Sequence, residues 1–324
     1  MGGRLHSNNR KRVNRLMVLD TRAWAVTDTL FYETVENYVE LMAYAGVTDV
    51  APQVYGGNGT VGYTGAITSL WDRSGTAPDG SMQAFVDLCH SAGIRVHGLF
   101  ATNEVGTGTI AAGYDAWGEG EDFVDVSQAG WADWIASVAV EAPNIVDFDG
   151  LMFDYIRTTD SGLSSAEKIT YVTAVFNAIY DGVKAAHRNI EISTTTKAWL
   201  DEDTDVDNGR RAIQWYNSGR PHTVYQFDYG NNYAPFEYGL PPNMDDIRSA
   251  KAAIGSSKDL ICMAGVWSVP VEDEVPLSTD AWLPILRALQ EDPENHIALF
   301  STDLMNEQMF HTLRTLRLSP YNAI

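Results

Sequence analysis

Along the chain, apolar runs of strand length recur, and each is followed by a polar loop and then by a stretch whose apolar residues return every three or four positions. Eight such runs can be counted: Leu16–Asp20, Val47–Tyr55, Ile94–Ala101, Val146–Asp154, Ile190–Lys197, Thr223–Tyr229, Leu260–Trp267 and Ile297–Thr302. The stretches between them carry a single apolar stripe, as in Val35, Tyr38, Val39 and Met42, or Ile169, Val172, Phe176, Ile179 and Val183. Such stripes predict amphipathic helices packed by one face. Gly46 and Gly93 stand just past two of these helices, and Asp79 and Ser164 or Ser165 just ahead of others, where helix-ending and helix-starting residues belong. Strand and helix alternating in this way predict parallel βα units, and the count favours closure. The expected fold is α/β: a single (β/α)₈ TIM barrel over residues 15–324, preceded by a basic, polar arm over residues 1–14. No GxGxxG or phosphate-binding loop follows the first run, which removes the usual reason for an open doubly wound sheet. Gly56-Gly57-Asn58-Gly59 has no lysine placed for a phosphate and reads as a turn.

Composition narrows the partners. With 45% hydrophobic and 20% charged residues, a chain of 324 residues can bury a sizeable core. A net charge of −21 and a pI near 4.5 create a field that repels nucleic acid and anionic membrane surfaces. No apolar run approaches the ~20 residues of a membrane-spanning helix, and the basic start is not followed by a signal-peptide core. The expectation is a protein without membrane insertion, cytoplasmic or assembled into a virion or surface complex, with the N-terminal arm a flexible tail or a docking element for a larger assembly. The two cysteines, Cys89 and Cys262, form neither a disulfide framework nor a metal-ligand spacing and read as core thiols. His90 and His97 lack an HxH or HxxE context, so no metal is expected, and no cofactor motif is present. A nucleophile elbow for Ser/His/Asp catalysis is missing.

In a closed barrel the working site gathers at the carboxyl ends of the strands. Polar residues that terminate apolar runs are therefore the informative ones: Asp20, Gln53, Tyr55, Asp154, Gln226 and Asp228, with Glu104 beyond the third run. Side-chain alternation sharpens the choice. In Leu151-Met152-Phe153-Asp154 the bulky Leu151 and Phe153 suit the helix side, which leaves Met152 and Asp154 facing the axis. In Tyr225-Gln226-Phe227-Asp228 the aromatics are likewise expected outward, with Gln226 and Asp228 inward; on the second run Ala51, Gln53 and Tyr55 are expected inward. Several carboxylates would then converge on one mouth, the arrangement that glycosidic cleavage needs: one acid to protonate the leaving oxygen, another to attack the anomeric carbon or activate water. Asp154 ends the most apolar of these strands and is the first candidate, Asp228 its first partner, with Glu104 and Asp20 in reserve. Flat rings in or beside the expected loops, among them Tyr55, Tyr63, Trp71, Trp117, Trp199, Tyr229, Tyr233 and Trp267, could stack on sugar faces.

The segment VDFDGLMFDYIR, Val146–Arg157, resembles the strand-four signature of the bacterial glycosyl-hydrolase-like family called domain of unknown function 187. HSAGIRVHG at His90–Gly98 is similar to that family's helix-to-strand passage. Phe123-Val124-Asp125-Val126, Gln214-Trp215-Tyr216 and ALFS at Ala298–Ser301 also match in order and spacing, over roughly residues 15–315. The resemblance implies a barrel acting on glycans, with a catalytic or binding role for Asp154 and with Arg157, His97 and Gln53 lining the cleft. Two departures stand out: Thr158-Thr159 follow Arg157 in place of a proline, and the strand-six tyrosine is displaced to Tyr229.

Together these features predict an O-glycoside hydrolase acting on a cell-wall or surface polysaccharide. Its substrate contacts are expected from Gln53, Tyr55, His97, Arg157, Trp199, Gln226, Tyr229 and Trp267. The alternative is a non-catalytic glycan-binding barrel that serves as a receptor-binding or structural component of a surface or virion assembly.

Overall fold

The structure is a computed structural model, and it describes residues 15–19, 28–56, 63, 65, 80–105, 109–110, 112–118, 123–197, 209, 211–227, 260–265, 267–268, 275–276, 283, 286, 297–300 and 307–317. Eight strands, all paired in parallel, close into a barrel. In chain order these are β1 (Arg15–Leu19), β2 (Asp49–Tyr55), β3 (Arg95–Ala101), β4 (Gly150–Asp154), β5 (Glu191–Lys197), β6 (Thr223–Phe227), β7 (Leu260–Gly265) and β10 (Ile297–Phe300). Between the last two, Trp267–Ser268 (β8) and Val275–Pro276 (β9) form a small antiparallel ribbon. Each barrel strand falls within, or at most one residue outside, a run expected from the sequence. The fourth starts later than its run, because Val146 still caps a helix and Asp149 turns back to accept the Val96 amide.

Helices α1 (Asp28–Ala45), α2 (Ser81–Ser91), α3 (Trp131–Ile145), α4 (Ser165–Ala186), α5 (Ala212–Asn217) and α6 (Glu307–Arg317) pack around the barrel. The predicted stripes are the buried faces: Val35, Val39 and Met42 on α1, and Val172, Phe176, Ile179 and Val183 on α4. Ser164 caps α4 through a reciprocal box with Glu167, whose carboxylate accepts the Ser164 amide at 2.9 Å. Past α1 and α2, Gly46 and Gly93 take φ of 74° and 77°, the left-handed conformation that a side chain would strain. Asp79 lies outside the described residues.

Two apolar cores result. The larger lies between the strands and the helices. The smaller fills the barrel itself and is built from Leu16, Ala51, Leu99, Met152, Tyr225, Ile261, Met263 and Ala298. Met152 inside, with Leu151 and Phe153 in the outer core, is the alternation expected for β4. For β6 the expectation is corrected: Tyr225 points into the barrel. The tyrosine is tolerated there because its neighbours at the amino end are polar, and burial pushes its hydroxyl pKa well above the ordinary range, with the charges of Asp49 and Glu191 adding to the effect.

That amino end holds a buried polar layer. His97 Nε2 lies 3.1 Å from Asp49 Oδ1, and Arg95 bridges Asp49 at 2.6 Å and Glu191 at 2.8 Å. The missing side chain of Gly150 makes room for the imidazole, since a Cβ there would lie 2.3 Å from His97 Nδ1. Burial works to raise the Asp49 pKa. The hydrogen bond from His97, the His97 and Arg95 charges and the Thr48 hydroxyl outweigh it and hold the carboxyl well below the usual range. His97 is therefore corrected from a cleft residue to a packing residue: it is the third residue of β3, at the end of the barrel opposite the mouth, where polar layers serve stability.

Candidate functional site

Asp154 is the last residue of β4 and lies at the carboxyl mouth, 8% exposed. Its Oδ1 accepts two hydrogen bonds, from Thr195 Oγ1 on β5 at 2.5 Å and from the amide of Tyr155 at 2.6 Å. Its carbonyl accepts the amide of Thr102 at the end of β3. Ser193 and Thr194 of β5 likewise bond to β4 carbonyls, so Thr195 acts from a strand whose buried hydroxyls are tied to its neighbour. Directly after the carboxylate, Tyr155 adopts φ of 54°, the one non-glycine residue in the left-handed region among those described. A bulky residue in this conformation stores on the order of 1–3 kcal/mol, and such strain concentrates where a side chain must be aimed. Here it directs the Tyr155 amide back onto Asp154.

The loops after β3 and β4 are stitched together into one wall of the mouth. Asn103 Nδ2 donates to the Arg157 carbonyl at 3.1 Å, while its Oδ1 accepts the indole of the buried Trp131 at 3.1 Å. Phe123 stacks on Tyr155 at 5.7 Å between centroids, and Phe123 also pairs with Glu104 in an antiparallel bridge. The Arg157 guanidinium lies against both rings, 4.9 Å from Tyr155 and 5.5 Å from Phe123. Trp117 Nε1 donates to Thr159 Oγ1 at 3.3 Å, a further link between the two loops.

At the end of β2, Gln53 and Glu104 converge on Gly56. A Cβ at Gly56 would meet Gln53 Nε2 and come within 3.0 Å of Glu104 Oε2, so a larger residue there would push the ends of both side chains aside. Gln53 pairs in register with Leu99, an interior position. Tyr55, two residues on, pairs instead with Phe100, because an irregularity between Gln53 and Tyr55 shifts the register by one. The slip carries Tyr55 to the outer core, 2% exposed and stacked on Phe100 at 5.9 Å. Tyr55 is thus corrected from a sugar platform to a buried support behind the mouth. Burial, with a lesser contribution from the Glu104 charge, pushes its hydroxyl pKa well above the usual range.

Of the residues singled out from the sequence, Asp154, Arg157, Gln53 and Glu104 fall on this one end of the barrel, and His97 and Tyr55 do not face it. Asp20, Asp228, Trp199 and Tyr229 lie outside the described residues, as do Trp71 and Tyr233. For Gln226 and Trp267 the backbone is placed, in β6 and β8, and the inward Tyr225 withdraws the alternation that favoured Gln226 and Asp228. Tyr63 is buried at 1% and Trp117 is half-buried. Residues not singled out also belong here: Thr195, Asn103, Tyr155 and Phe123. A signal for Thr195 existed in the run Ser193-Thr194-Thr195-Thr196, which is too polar for a buried strand unless its hydroxyls are used. Among the described residues, no cluster of side chains could hold a metal ion.

No family model matches the chain, and no curated protein matches it. Solved structures do. The glycoside hydrolase domain of PgaB (BpsB) from Bordetella bronchiseptica superposes with a TM-score of 0.69 at 13% identity, covering 94% of this chain and 98% of that one. A GH18 chitinase from Cycas revoluta, in a complex with allosamidin, gives 0.62 at 9% identity over 93% and 98% of the two chains. The spore cortex-lytic enzyme SleL of Bacillus megaterium gives 0.58 at 10% identity over 95% and 74%. The barrel is thus of the type found in these glycoside hydrolases. At such identities the likeness is one of fold, and chemistry has to be read from the site.

Proposed function

We propose that the chain is a glycoside hydrolase that cleaves O-glycosidic bonds of a cell-wall or surface polysaccharide, with Asp154 as nucleophile or base. The observation that carries this reading is the aimed carboxylate of Asp154: buried at the mouth, fixed on one oxygen by Thr195 and by the strained Tyr155 amide. Glu104 is the second carboxylate that the described geometry favours, since it approaches Gly56 beside the inward Gln53 on the neighbouring strand end. Asp228 and Asp20 remain candidates for the same task. One acid protonates the leaving oxygen while the other attacks or activates water, and a carboxyl separation of about 5–5.5 Å or about 6.5–9.5 Å distinguishes retention from inversion. The motif likeness at Val146–Arg157 and the fold neighbours, named as acting in glycan hydrolysis, support the same class.

The test is release of reducing ends from a panel of bacterial and archaeal wall glycans by the full chain, with Asp154→Asn and Glu104→Gln alongside. Release that depends on Asp154 supports the reading. Binding without release in the unaltered protein would favour the non-catalytic glycan-binding barrel instead.

A further inference from the structure

The chain carries 43 acidic residues against 22 Lys and Arg, so a guanidinium near the barrel should find a carboxylate easily. Arg95 pairs with Asp49 and Glu191, and Arg220 with Asp181. Arg157 differs. Among the described residues no carboxylate meets it, and its Nε is closed off from solvent with no hydrogen-bond partner. A buried donor left in that state costs free energy, so Nε itself is spent on position and the outer Nη groups are the ones a ligand can reach. The side chain is nevertheless held in place: Asn103 fixes its carbonyl, its amide donates to the Tyr155 carbonyl at 2.8 Å, and its guanidinium rests on the rings of Tyr155 and Phe123. Cation–π contact leaves the edge of the guanidinium plane that carries the two Nη groups available for a ligand.

We propose that Arg157 is a subsite for the carboxylate of an acidic sugar, so that the glycan cut beside Asp154 carries an acid group on a residue next to the scissile bond. This rests on the glycosidase reading for the position of the cut, but not for the binding itself. A planar, pre-oriented guanidinium matches a carboxylate in a two-point hydrogen bond, which a neutral hydroxyl cannot reproduce. The overall negative charge works against an anionic ligand, but at physiological salt charges more than about 8 Å away contribute little, and the two-point bond to Arg157 has to outweigh the remainder. The acid could be a uronate, or a carboxyl-bearing ether on an amino sugar. Both present the same group to Arg157.

The experiment uses the full chain in the Asp154→Asn form, so that nothing is turned over, and measures affinity by calorimetry for matched pairs. One pair of probes is uronate oligosaccharides and their carboxyl-reduced counterparts; the other is peptide-free wall oligosaccharides with lactyl-ether carboxylates and their carboxyl-reduced counterparts. Within one pair the acid form should bind about tenfold more tightly than its neutral twin, the scale of a charge-assisted hydrogen bond, and the pair in which this occurs identifies the source of the acid. Arg157→Gln should bring the acid form down to the level of the neutral one. Arg157→Lys, which keeps the stem and charge, should recover part of the difference and guards against loss of fold in the first variant. No acid preference in either pair, no binding in either pair, or a preference that survives Arg157→Gln in folded protein, would overturn the subsite. The two readings separate cleanly. Acid-selective binding through Arg157 without bond cleavage by the unaltered protein sinks the hydrolase and keeps the subsite, whereas cleavage with no acid preference does the reverse.

Discussion

Thr195 Oγ1 reaches across from β5 to donate to Asp154 Oδ1 at 2.5 Å, so the orientation of the candidate catalytic carboxylate is set by a hydroxyl on the neighbouring strand. Thr195→Val keeps the branched shape and removes the donor. With its second tether intact, Asp154 should stay near the mouth but lose its aim. The expected result is a fall in kcat of roughly ten- to a hundredfold with a smaller change in KM, consistent with one hydrogen bond to a charged group. Thr195→Ser should restore most of the rate. Steady-state kinetics on the glycan that proves to be the substrate checks this, and equal kcat in all three proteins would refute the positioning role.

Asp154→Asn preserves size and can still accept at its oxygen, so thermal stability should change little. Turnover should fall by at least about a hundredfold, the usual scale for loss of an acid–base group, and further if Asp154 is the nucleophile. Circular dichroism melting alongside reducing-end release separates the two quantities.

At Gly56 a methyl group would press against Gln53 Nε2. Gly56→Ala should therefore displace the Gln53 amide at a cost of under about 1 kcal/mol, since the group it meets is the mobile end of a flexible side chain. Combining it with Gln53→Ala should recover part of that cost, because the clash is removed. Denaturant unfolding of the two single variants and the double variant reads this coupling directly, and strict additivity would show that the two residues do not meet.

How much of this was legible in the sequence differs between fold and site for physical reasons. The strands and the stripes of α1 and α4 were legible because apolar periodicity is repeated over many residues, so a single exception cannot erase it. The inward Asp154 followed from its three apolar neighbours. Tyr55 and Tyr225 defeated the same alternation rule in two ways. A register slip after Gln53 moved Tyr55 to the outer core, and a bulge of this kind leaves no mark in the pattern of residue types. Tyr225 turned inward because a polar layer assembled from β2, β3 and β5 waits for it, a partnership between positions far apart in the chain. His97 is placed in the cleft only by the family resemblance, whereas its own position, fourth in the run Ile94–Ala101, puts it in the first half of the strand and away from the carboxyl end.

The polar layer at the amino end makes the final prediction, which concerns stability and not turnover. Asp49 is 1% exposed and receives His97, Arg95 and the Thr48 hydroxyl, with Glu191 and Tyr225 completing its surroundings. Removing its charge by Asp49→Asn leaves the part-buried Arg95 with Glu191 alone, and weakening hydrogen bonds to a charged group in this way costs about 1.5–3 kcal/mol. The folded carboxyl titrates below the unfolded one. Its contribution is therefore fully present above the unfolded pKa of roughly 4, and it is lost as pH falls from there through the lower folded value. The stability gap between the unaltered protein and Asp49→Asn should accordingly be steady from neutral pH down to about pH 5 and shrink only in stronger acid. His97→Gln should likewise lower stability while leaving kcat within a few-fold, since His97 sits at the end of the barrel remote from Asp154. Urea unfolding across the pH series measures the gap, and a gap that closes well above pH 5 would show that another group, and not the Asp49 carboxylate, controls it.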